Sequence, residues 1–349
     1  MQSVAARVPP ASPARPDDER TQVAIYGSPV ASSVSPPVFN HIFPLIGLPN
    51  YHYGAVDLGS LADEGNAWYT ALKRADCLGT CLTMPLKLEA LERVDVLTPE
   101  AQATGCVNTT FFRPSRAEST ASLAHFGTNT DSAAVLNTLL ASFLGKPSPF
   151  DASSPHSFAP QAKVAAFAVG GGGATRASIH AMHALGLSPI FIANRDDAEI
   201  EAIVRHFGEW DVRPLESAEE ARVAMKRLRD QDGRVVCGVG AIPSEEPRTE
   251  GEKRVYEVAR AVFGELYDKS TQATQEEGYL SLPEKPVFVD MAYKPRMTSL
   301  RVLAEQHGWA SICGTEVVLE NCFEQCKIWT CIEVPSEVRQ SARELLDTL

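Results

Sequence analysis

Residues 163–186 have the sequence KVAAFAVGGGGATRASIHAMHALG: an apolar strand, a run of four glycines and a helical segment. A strand that ends in a glycine turn and continues as a helix is typical of a site for nucleotide phosphates. Glycines lack side chains, so backbone N–H groups can approach a pyrophosphate while the helix dipole stabilises its charge. The alternative is a tight turn without a ligand, but four adjacent glycines cost more conformational entropy than a turn requires.

The nucleotide that fits this context is a nicotinamide dinucleotide, held by the glycine turn and by the end of the next strand. The predicted cofactor contacts are Gly170, Gly172, Gly173, Ala174, Asn194, Arg195 and Asp196. Arg195 could stack on the adenine or bind the 2′-phosphate of NADP. The acids after it, Asp196, Asp197 and Glu199, would repel that phosphate, and one of them could bind a ribose hydroxyl. Since the acids outnumber the base, we expect NAD or NADP, with NAD slightly favoured.

Length and composition set the broad class of the protein. A chain of 349 residues has room for two domains, and 44% hydrophobic with 22% charged residues is typical of an ordinary globular protein. No apolar run approaches the roughly 20 residues of a membrane helix, so we expect no membrane partner. The 32 basic and 44 acidic side chains give a net charge of −12, which disfavours nucleic acid as a partner. Eight dispersed cysteines favour reduced thiols and a cytoplasmic location.

Strands and helices alternate along most of the chain. The proline-rich residues 1–20 predict a disordered tail, and from Thr21 onward short apolar runs alternate with helical periods, which predicts parallel βαβ architecture. Ser35 is predicted as a helix cap. Residues 146–161, rich in Pro and Ser, predict a surface insertion or connector. The polar stretch 243–286 contains one amphipathic segment and is expected to be an elaboration outside the core.

Four polar clusters fall where strands of the first half meet loops or helices. They are SVSP at 33–36, LTMPLK at 82–87, CVNTT at 106–110 and GTNTD at 127–131. Their hydroxyl and amide groups would suit a polyol or hydroxy acid, because each buried ligand hydroxyl needs a donor or an acceptor. Taken singly, however, such residues are equally good helix caps and turn residues.

Eight segments, taken in order, resemble the motifs of the shikimate and quinate dehydrogenase family. They are YGSPVASSVSPPVFN, LTMPLK, GCVNTT, GTNTD, VGGGGATRA, ANR, DMAYKPRMTSL and GTEVVLENCFEQCKIWT. The resemblance runs from about Tyr26 to Thr330. The patterns Y-K-P-x-x-T and E-Q-x-x-x-W resemble those of fungal-type shikimate dehydrogenase-like proteins.

The resemblance implies an α/β fold: a discontinuous N-terminal substrate-binding domain plus a Rossmann-type dinucleotide-binding domain, with catalysis in the cleft between them. On that basis we predict residues 21–131 with 315–349 as the substrate-binding domain and residues 132–314 as the NAD(P)-binding domain. The implied reaction is the reversible oxidation of a ring hydroxyl of shikimate or quinate, to 3-dehydroshikimate or 3-dehydroquinate.

The same resemblance implies roles for individual residues. Lys87 and Asp131 would be the catalytic pair. The implied substrate contacts are Ser33 and Ser35 for the carboxylate, Thr83, Asn108 and Asp131 for ring hydroxyls, Tyr293 near the nicotinamide, and Asn321. Removing a hydride from a secondary alcohol also requires a group that takes the hydroxyl proton, and a lysine held beside an aspartate is suited to that role.

Three positions depart from the family pattern. Phe39 stands where the family usually has His, and Asn321 where it usually has Gln. Gly238 and Gly240 occupy a predicted loop that is usually rich in Thr or Ser. These departures keep open a second hypothesis, that the protein is a catalytically inactive relative that senses quinate or shikimate.

Two groups of side chains offer weaker hypotheses of metal binding. His180 and His183 are spaced at i, i+3, and Cys322, Cys326 and Cys331 lie close together in the sequence. Residues packed against the sheet and buried thiols are the favoured interpretations, so we predict no metal site. Ile328 and Trp329 are predicted to anchor their helix in the core of the first domain.

Overall fold

The computed structural model describes residues 21–62, 65–114, 123–145, 157–265 and 278–349. They form two compact units. The first contains the described residues up to Thr130 together with Val318–Leu349, and the second contains those of Asp131–Val317. The predicted division assigned Asp131 and residues 315–317 to the first unit, whereas the structure assigns them to the second. The predicted disordered tail lies outside the described residues. In the described part of the chain, no helix is both long and apolar enough to cross a membrane.

A six-stranded mixed sheet forms the centre of the first unit, in the order β2-β1-β3-β5-β6-β4. Its strands are β1 (Thr21–Gly27), β2 (Tyr51–Asp57), β3 (Gly79–Leu82), β4 (Val96–Leu97), β5 (Thr109–Pro114) and β6 (Leu123–Thr128). β1 pairs in parallel with β2 and β3, whereas β5 pairs in antiparallel fashion with β3 and β6. The predicted βαβ start is confirmed, since β1 and β2 are parallel and α1 lies between them in the sequence.

Helices surround this sheet: α1 (Ser35–Leu45), α2 (Ala67–Leu72), α3 (Leu86–Glu89), α4 (Pro99–Thr104), α11 (Gly314–Thr330) and α12 (Ser336–Thr348). The predicted cap at Ser35 is wrong: the residue before α1 is Val34, and no side chain caps the helix. A capping side chain bonds the N–H groups two or three positions further on: after Ser35 these positions are Pro37, which has no N–H, and Val38, whose N–H already donates to Val34 O at 3.3 Å. Instead, Ser33 Oγ accepts from Ser35 N at 3.3 Å.

Aromatic residues pack α11 against the rest of this unit. Trp329 is 5% exposed, and its Nε1 donates to Thr110 O at 3.0 Å, which confirms its predicted anchoring role. The Phe39 ring stacks on that of Tyr53 with 4.4 Å between centroids and packs against Trp329. Phe39 therefore belongs to the core, and a histidine there would place a polar ring in an apolar setting.

The second unit contains a parallel six-stranded sheet in the order β12-β11-β10-β7-β8-β9. Its strands are β7 (Val164–Val169), β8 (Ile190–Ala193), β9 (Val212–Pro214), β10 (Arg234–Gly240), β11 (Val287–Asp290) and β12 (Ala310–Cys313). Its helices are α5 (Asp131–Leu144), α6 (Gly173–Ala184), α7 (Asp197–His206), α8 (Ala218–Asp230), α9 (Glu250–Phe263) and α10 (Ser299–Gln306). Counted within this unit, the strand order is 3-2-1-4-5-6, that of the Rossmann fold.

One expectation about insertions is wrong. Helix α9 was expected outside the core, but it buries Val255, Val258, Ala259, Val262 and Phe263. Their spacing forms one apolar stripe, which packs on the sheet because a helix with such a face has to bury it. Residues 146–156 of the predicted connector lie outside the described residues; at its end, Phe158 is buried and packs edge-on against Phe143 with 5.3 Å between ring centroids.

The two glycines that depart from the family pattern lie in a strand rather than a loop. Gly238 and Gly240 are part of β10, and a Cβ at either position would meet the Phe288 ring at 3.0 and 2.8 Å. The predicted loop placement is therefore wrong. These glycines make room for a buried aromatic ring from the neighbouring strand.

Candidate functional site

The glycine turn between β7 and α6 has the geometry that a dinucleotide pyrophosphate requires. Gly170 has a φ of +129°, which favours glycine. Gly172 caps α6 without any side-chain hydrogen bond, and a Cβ there would have nothing within 4 Å. Gly172 is exposed, and Gly173 and Ala174, which follow it at the positive end of the helix, are partly exposed. These residues fit the cofactor that the sequence implies.

Gly171, which sequence reasoning left out of the cofactor list, is required by a close approach. A Cβ there would lie 2.1 Å from Glu199 Oε2 and 2.3 Å from Asn194 Nδ2. Asn194 is buried, and its Nδ2 donates to Glu199 Oε2 at 2.6 Å. The end of β8 is therefore packed directly against the glycine turn, where a Rossmann fold receives the adenosine ribose. The run of four glycines was the available signal for Gly171.

The two charged residues predicted at this strand end already have protein partners. Asp196 caps α7, and its Oδ1 accepts from Ala198 N at 2.9 Å and Glu199 N at 3.3 Å. The guanidinium of Arg195 forms an ion pair with Glu252 at 2.5 Å. The sequence analysis missed Glu252 because it lies 57 residues further along the chain.

In the first unit, a buried polar network surrounds Asn108, which is 1% exposed. Its Oδ1 accepts from Thr130 N at 2.8 Å and from Thr109 Oγ1 at 2.8 Å. Because a backbone N–H can only donate, this contact fixes the amide orientation and leaves Nδ2 on the other side. Within the described residues, Asn108 Nδ2 has no hydrogen-bond partner. A buried donor without an acceptor is costly, so it indicates a place for a ligand oxygen.

The network extends to α11 through two contacts. Thr130 Oγ1 lies 2.5 Å from Asn321 Oδ1, and Gln325 Nε2 donates to Thr109 Oγ1 at 2.8 Å. Sequence reasoning named Asn321 but missed Thr109, Thr130 and Gln325 as parts of the site. The signals were present, since the threonines belong to the clusters CVNTT and GTNTD and Gln325 belongs to the E-Q-x-x-x-W pattern.

Backbone hydrogen bonds place Thr83 and Lys87 beside Asn108. Leu82 N donates to Asn108 O at 2.7 Å, and Thr83 is the next residue in the chain after Leu82. Val107 N donates to Lys87 O at 2.8 Å, and Lys87 lies half-buried in the first turn of α3. The structure therefore brings Thr83, Lys87 and Asn108 together at one end of β3.

The two predicted carboxylate-binding serines lie at the start of α1. Ser33 Oγ accepts from Ser35 N, and the Ser35 hydroxyl hydrogen-bonds the Cys322 thiol. Cys322 is the neighbour of Asn321 on α11. Burial raises the pKa of the Cys322 thiol well above its usual range, so this group is a neutral thiol and leaves the site without a thiolate charge.

The remaining predicted site residues belong to the second unit. Asp131 is 3% exposed and is the first residue of α5, directly after Thr130. Tyr293 follows β11 and is half-buried. The predicted pairing of Lys87 with Asp131 joins residues of the two units and stays a prediction.

Asp290, at the end of β11, is the most perturbed carboxyl of the second unit among the described residues. It is 1% exposed, and desolvation raises its pKa from 3.8 to about 7. Thr298 Oγ1 donates to its Oδ2 at 2.5 Å and Ala292 N to its Oδ1 at 3.2 Å. These hydrogen bonds lower the pKa, but desolvation is the larger effect.

The side chains considered for metal binding make other contacts. His180 Nδ1 lies 2.6 Å from Ser132 Oγ, and His183 stacks on Trp210 with 3.8 Å between ring centroids. Cys322 and Cys326 are buried in α11. All eight cysteines lie in the described residues, and no disulfide joins them.

Comparison with known proteins agrees with this architecture. Residues 25–110 match the family model of the shikimate dehydrogenase substrate binding domain. A dehydroquinate dehydratase and shikimate dehydrogenase chain from S. pombe aligns with a TM-score of 0.65 and 24% identity over 93% of this chain. This chain spans only 53% of that S. pombe chain.

Two bacterial structures align over most of their own length. Shikimate 5-dehydrogenase from Thermus thermophilus, in complex with NADP(H) and shikimate, aligns with a TM-score of 0.61 and 25% identity, covering 93% of this chain and 98% of that one. Shikimate 5-dehydrogenase from Listeria monocytogenes, in complex with shikimate and NAD, aligns with a TM-score of 0.63 and 21% identity, covering 94% of this chain and 96% of that one. The chain therefore has the fold of the shikimate dehydrogenases, a substrate-binding α/β unit followed by a Rossmann-type unit, and its residues 25–110 match the substrate-binding domain of that family.

Proposed function

We propose that the protein is a nicotinamide-dependent oxidoreductase that reversibly oxidises a ring hydroxyl of shikimate or quinate. The unpaired, buried Nδ2 of Asn108 is the observation that carries this proposal. It offers a donor to a hydroxyl oxygen inside a network whose other members are threonine, asparagine and glutamine side chains. Such a lining suits a polyhydroxylated ring, because each ring hydroxyl then finds a partner without any charged group being left unpaired.

The remaining residues of the first unit have roles that follow from their positions. Ser33 and Ser35, at the start of α1, would bind the ring carboxylate through hydroxyl donors. Thr83 and Asn108 would bind ring hydroxyls, and Asn321 would contribute an amide that already contacts Thr130. Because Asn is one methylene shorter than Gln, Asn321 would leave room for a different ring substituent. This position would therefore affect the preference between quinate and shikimate.

Proton transfer is assigned to Lys87, with Asp131 as its partner. In the oxidation direction the ring hydroxyl would give its proton to the Lys87 amine, and the hydrogen on the carbon that bears this hydroxyl would leave as hydride to the dinucleotide; reduction would reverse both transfers. A carboxylate beside the lysine would orient its amine and stabilise the ammonium that forms. Tyr293 would contribute to the same reaction from the second unit.

The dinucleotide is assigned to the second unit. Gly172, Gly173 and Ala174 would hold the pyrophosphate at the start of α6, and Gly170, whose N–H donates to Ala193 O, would form the turn that lets the phosphates approach. The end of β8 would hold the adenosine ribose. When bound, the nicotinamide supplies the hydride acceptor or donor. NAD is favoured over NADP, since Arg195 is already paired with a carboxylate. With eight cysteines and no disulfide among them, we place the reaction in the cytoplasm.

A matrix of initial rates tests the proposal. The protein is incubated with NAD or NADP and with quinate or shikimate, and absorbance at 340 nm reports reduced dinucleotide. Turnover in at least one combination supports the proposal, and the relative rates identify the substrate and the cofactor. Saturable binding of quinate or shikimate with no turnover in any combination would overturn it in favour of the ligand-sensing alternative.

A further inference from the structure

The start of helix α9 is built against the end of β8, where the adenosine ribose of a dinucleotide would lie. A Cβ at Gly251 would be only 3.0 Å from Arg195 O and 3.3 Å from Arg195 Cβ, so the helix approaches this segment at backbone distance. The next residue, Glu252, forms the ion pair with Arg195 at 2.5 Å. Two residues later, Arg254 Nη2 lies 2.7 Å from Asp197 Oδ1.

Glu252 is held firmly in this position. Its Oε2 accepts from Arg248 N at 2.9 Å and Thr249 N at 3.0 Å, and Thr249 Oγ1 accepts from Glu252 N, which completes a capping box. The backbone N–H groups of Thr249 and Arg248, together with the Arg195 guanidinium, lower the pKa of Glu252 to about 2. The carboxylate is therefore ionised throughout the range in which the protein would bind a dinucleotide.

The charge balance around the strand end is unfavourable for an additional phosphate. Four carboxylates, those of Asp196, Asp197, Glu199 and Glu252, lie within this cluster against the two guanidinium groups of Arg195 and Arg254. Each arginine is already matched by a carboxylate. A 2′-phosphate would bring about two negative charges and would have to take Arg195 from Glu252 while facing the displaced carboxylate.

We propose that Glu252, on a helix that the cofactor motifs do not include, determines the choice of NAD over NADP by holding Arg195 and adding a fixed negative charge beside the adenosine ribose. This inference rests on the proposed function, because it assumes that the second unit binds a nicotinamide dinucleotide. Glu252 acts through Arg195 and is a positioning residue. The substrate-binding residues of the first unit have no part in it.

The test measures dinucleotide affinity with no substrate present. Dissociation constants of NAD⁺ and NADP⁺, and of the fragments ADP and adenosine 2′,5′-bisphosphate, are determined by calorimetry on the full chain. Glu252→Gln keeps an oxygen that can accept from the Thr249 and Arg248 N–H groups while removing the charge. We expect it to lower the Kd of NADP⁺ about tenfold and to leave that of NAD⁺ within about twofold. Glu250→Gln, on the same helical turn but paired with the exposed Lys253, is the matched control and should change neither.

Two further variants separate charge from helix stability. Arg195→Gln leaves Glu252 in place without its partner, so the Kd of NADP⁺ should rise more than that of NAD⁺. In Glu252→Gln with Arg195→Gln, the gain in NADP⁺ affinity should disappear, because the released guanidinium is what provides it. The 2′-phosphate fragment should follow NADP⁺ in each variant, and ADP should follow NAD⁺.

The outcomes distinguish this inference from the proposed function. If the unchanged protein binds both dinucleotides but Glu252→Gln leaves the ratio of their dissociation constants the same, or weakens both equally, the inference is overturned and the proposed function stands. If the unchanged protein binds neither dinucleotide, the proposed function falls and the inference falls with it.

Discussion

Asn108 shows how one side chain can be fixed by its surroundings and still be open to a ligand. The N–H group of Thr130 determines which end of the amide is the acceptor, and the amide nitrogen is left with no partner among the described residues. Sequence reasoning identified the position from the cluster CVNTT and the family resemblance. It could not identify the unpaired donor, because that depends on Thr130, which arrives from a different strand–helix junction.

Lys87→Ala should abolish turnover and leave dinucleotide binding intact. Lys87 lies beside Asn108 in the first unit, whereas the glycine turn belongs to the second, so the substitution removes the proposed proton acceptor and leaves the residues of the glycine turn unchanged. Initial rates at 340 nm and calorimetric titration with NAD⁺ measure the two effects separately. Lys226→Ala, an exposed lysine on α8, is the control and should retain full activity. Near-normal turnover of Lys87→Ala would refute the assignment.

Asp290 should make the protein less stable as the pH rises. Its pKa is raised from 3.8 to about 7, so between these values the unfolded chain releases the proton while the folded chain keeps it. The free energy of unfolding therefore falls from about pH 4 to pH 7 and levels off above, when both states are ionised. Arg301 opposes the shift, and desolvation outweighs it.

Asp290→Asn removes this titration and keeps one of the two oxygens that accept from Thr298 Oγ1 and Ala292 N. The free energy of unfolding of the variant, minus that of the unchanged protein, should increase by about 3 kcal/mol between pH 5 and pH 8 if the full pKa shift is expressed. Urea unfolding at the two pH values measures the gain, and other titrating groups cancel because they are common to both proteins. An equal stability difference at pH 5 and pH 8 would show that Asp290 does not titrate in this way.

The element that contains the proposed cofactor site is the strand–turn–helix of β7 and α6. Its pattern was clear in the sequence because four glycines follow a continuous apolar strand, and the Rossmann strand order agrees with it. Helix α9 was misjudged for a physical reason. Its first turn is polar and its apolar stripe lies in the second half, so composition over the whole stretch 243–286 concealed a core helix. Its contact with Arg195 is a tertiary feature that no local pattern contains.

At this element, Gly172→Ala should weaken dinucleotide binding without affecting stability. The residue has a φ of −86° and a Cβ there meets nothing within 4 Å, so the melting temperature should change by less than about 2 °C. The added methyl group lies where the pyrophosphate would approach the backbone, and the Kd of NAD⁺ should rise about tenfold or more. Gly59→Ala, equally open but in the first unit, should leave binding unchanged. Unaltered NAD⁺ affinity in Gly172→Ala would place the pyrophosphate elsewhere.

At the scale of the whole molecule, the chain leaves the first unit at Thr130 and returns to it at Val318. The order of motifs predicted this discontinuity, since the last motif belongs with the first four. The returning segment supplies structure as well as site residues, because Trp329 donates to Thr110 O and packs against Phe39. The first unit is thus incomplete without α11, whereas the second unit is one continuous stretch with its own parallel sheet.

Fragments of the chain should therefore behave differently. Residues 131–317 alone should unfold cooperatively and bind NAD⁺, because the sheet and the glycine turn lie within them. Residues 21–130 alone should show no cooperative unfolding, since removing α11 uncovers Phe39 and Tyr53 and leaves Thr109 and Thr130 without Gln325 and Asn321.

Joining residue 130 to residue 318 through a short Gly/Ser linker should restore a folded first unit, because Thr130 and Asn321 already lie in hydrogen-bond contact. Circular dichroism during urea titration measures all three, and cooperative unfolding of residues 21–130 alone would show that the returning helices are dispensable.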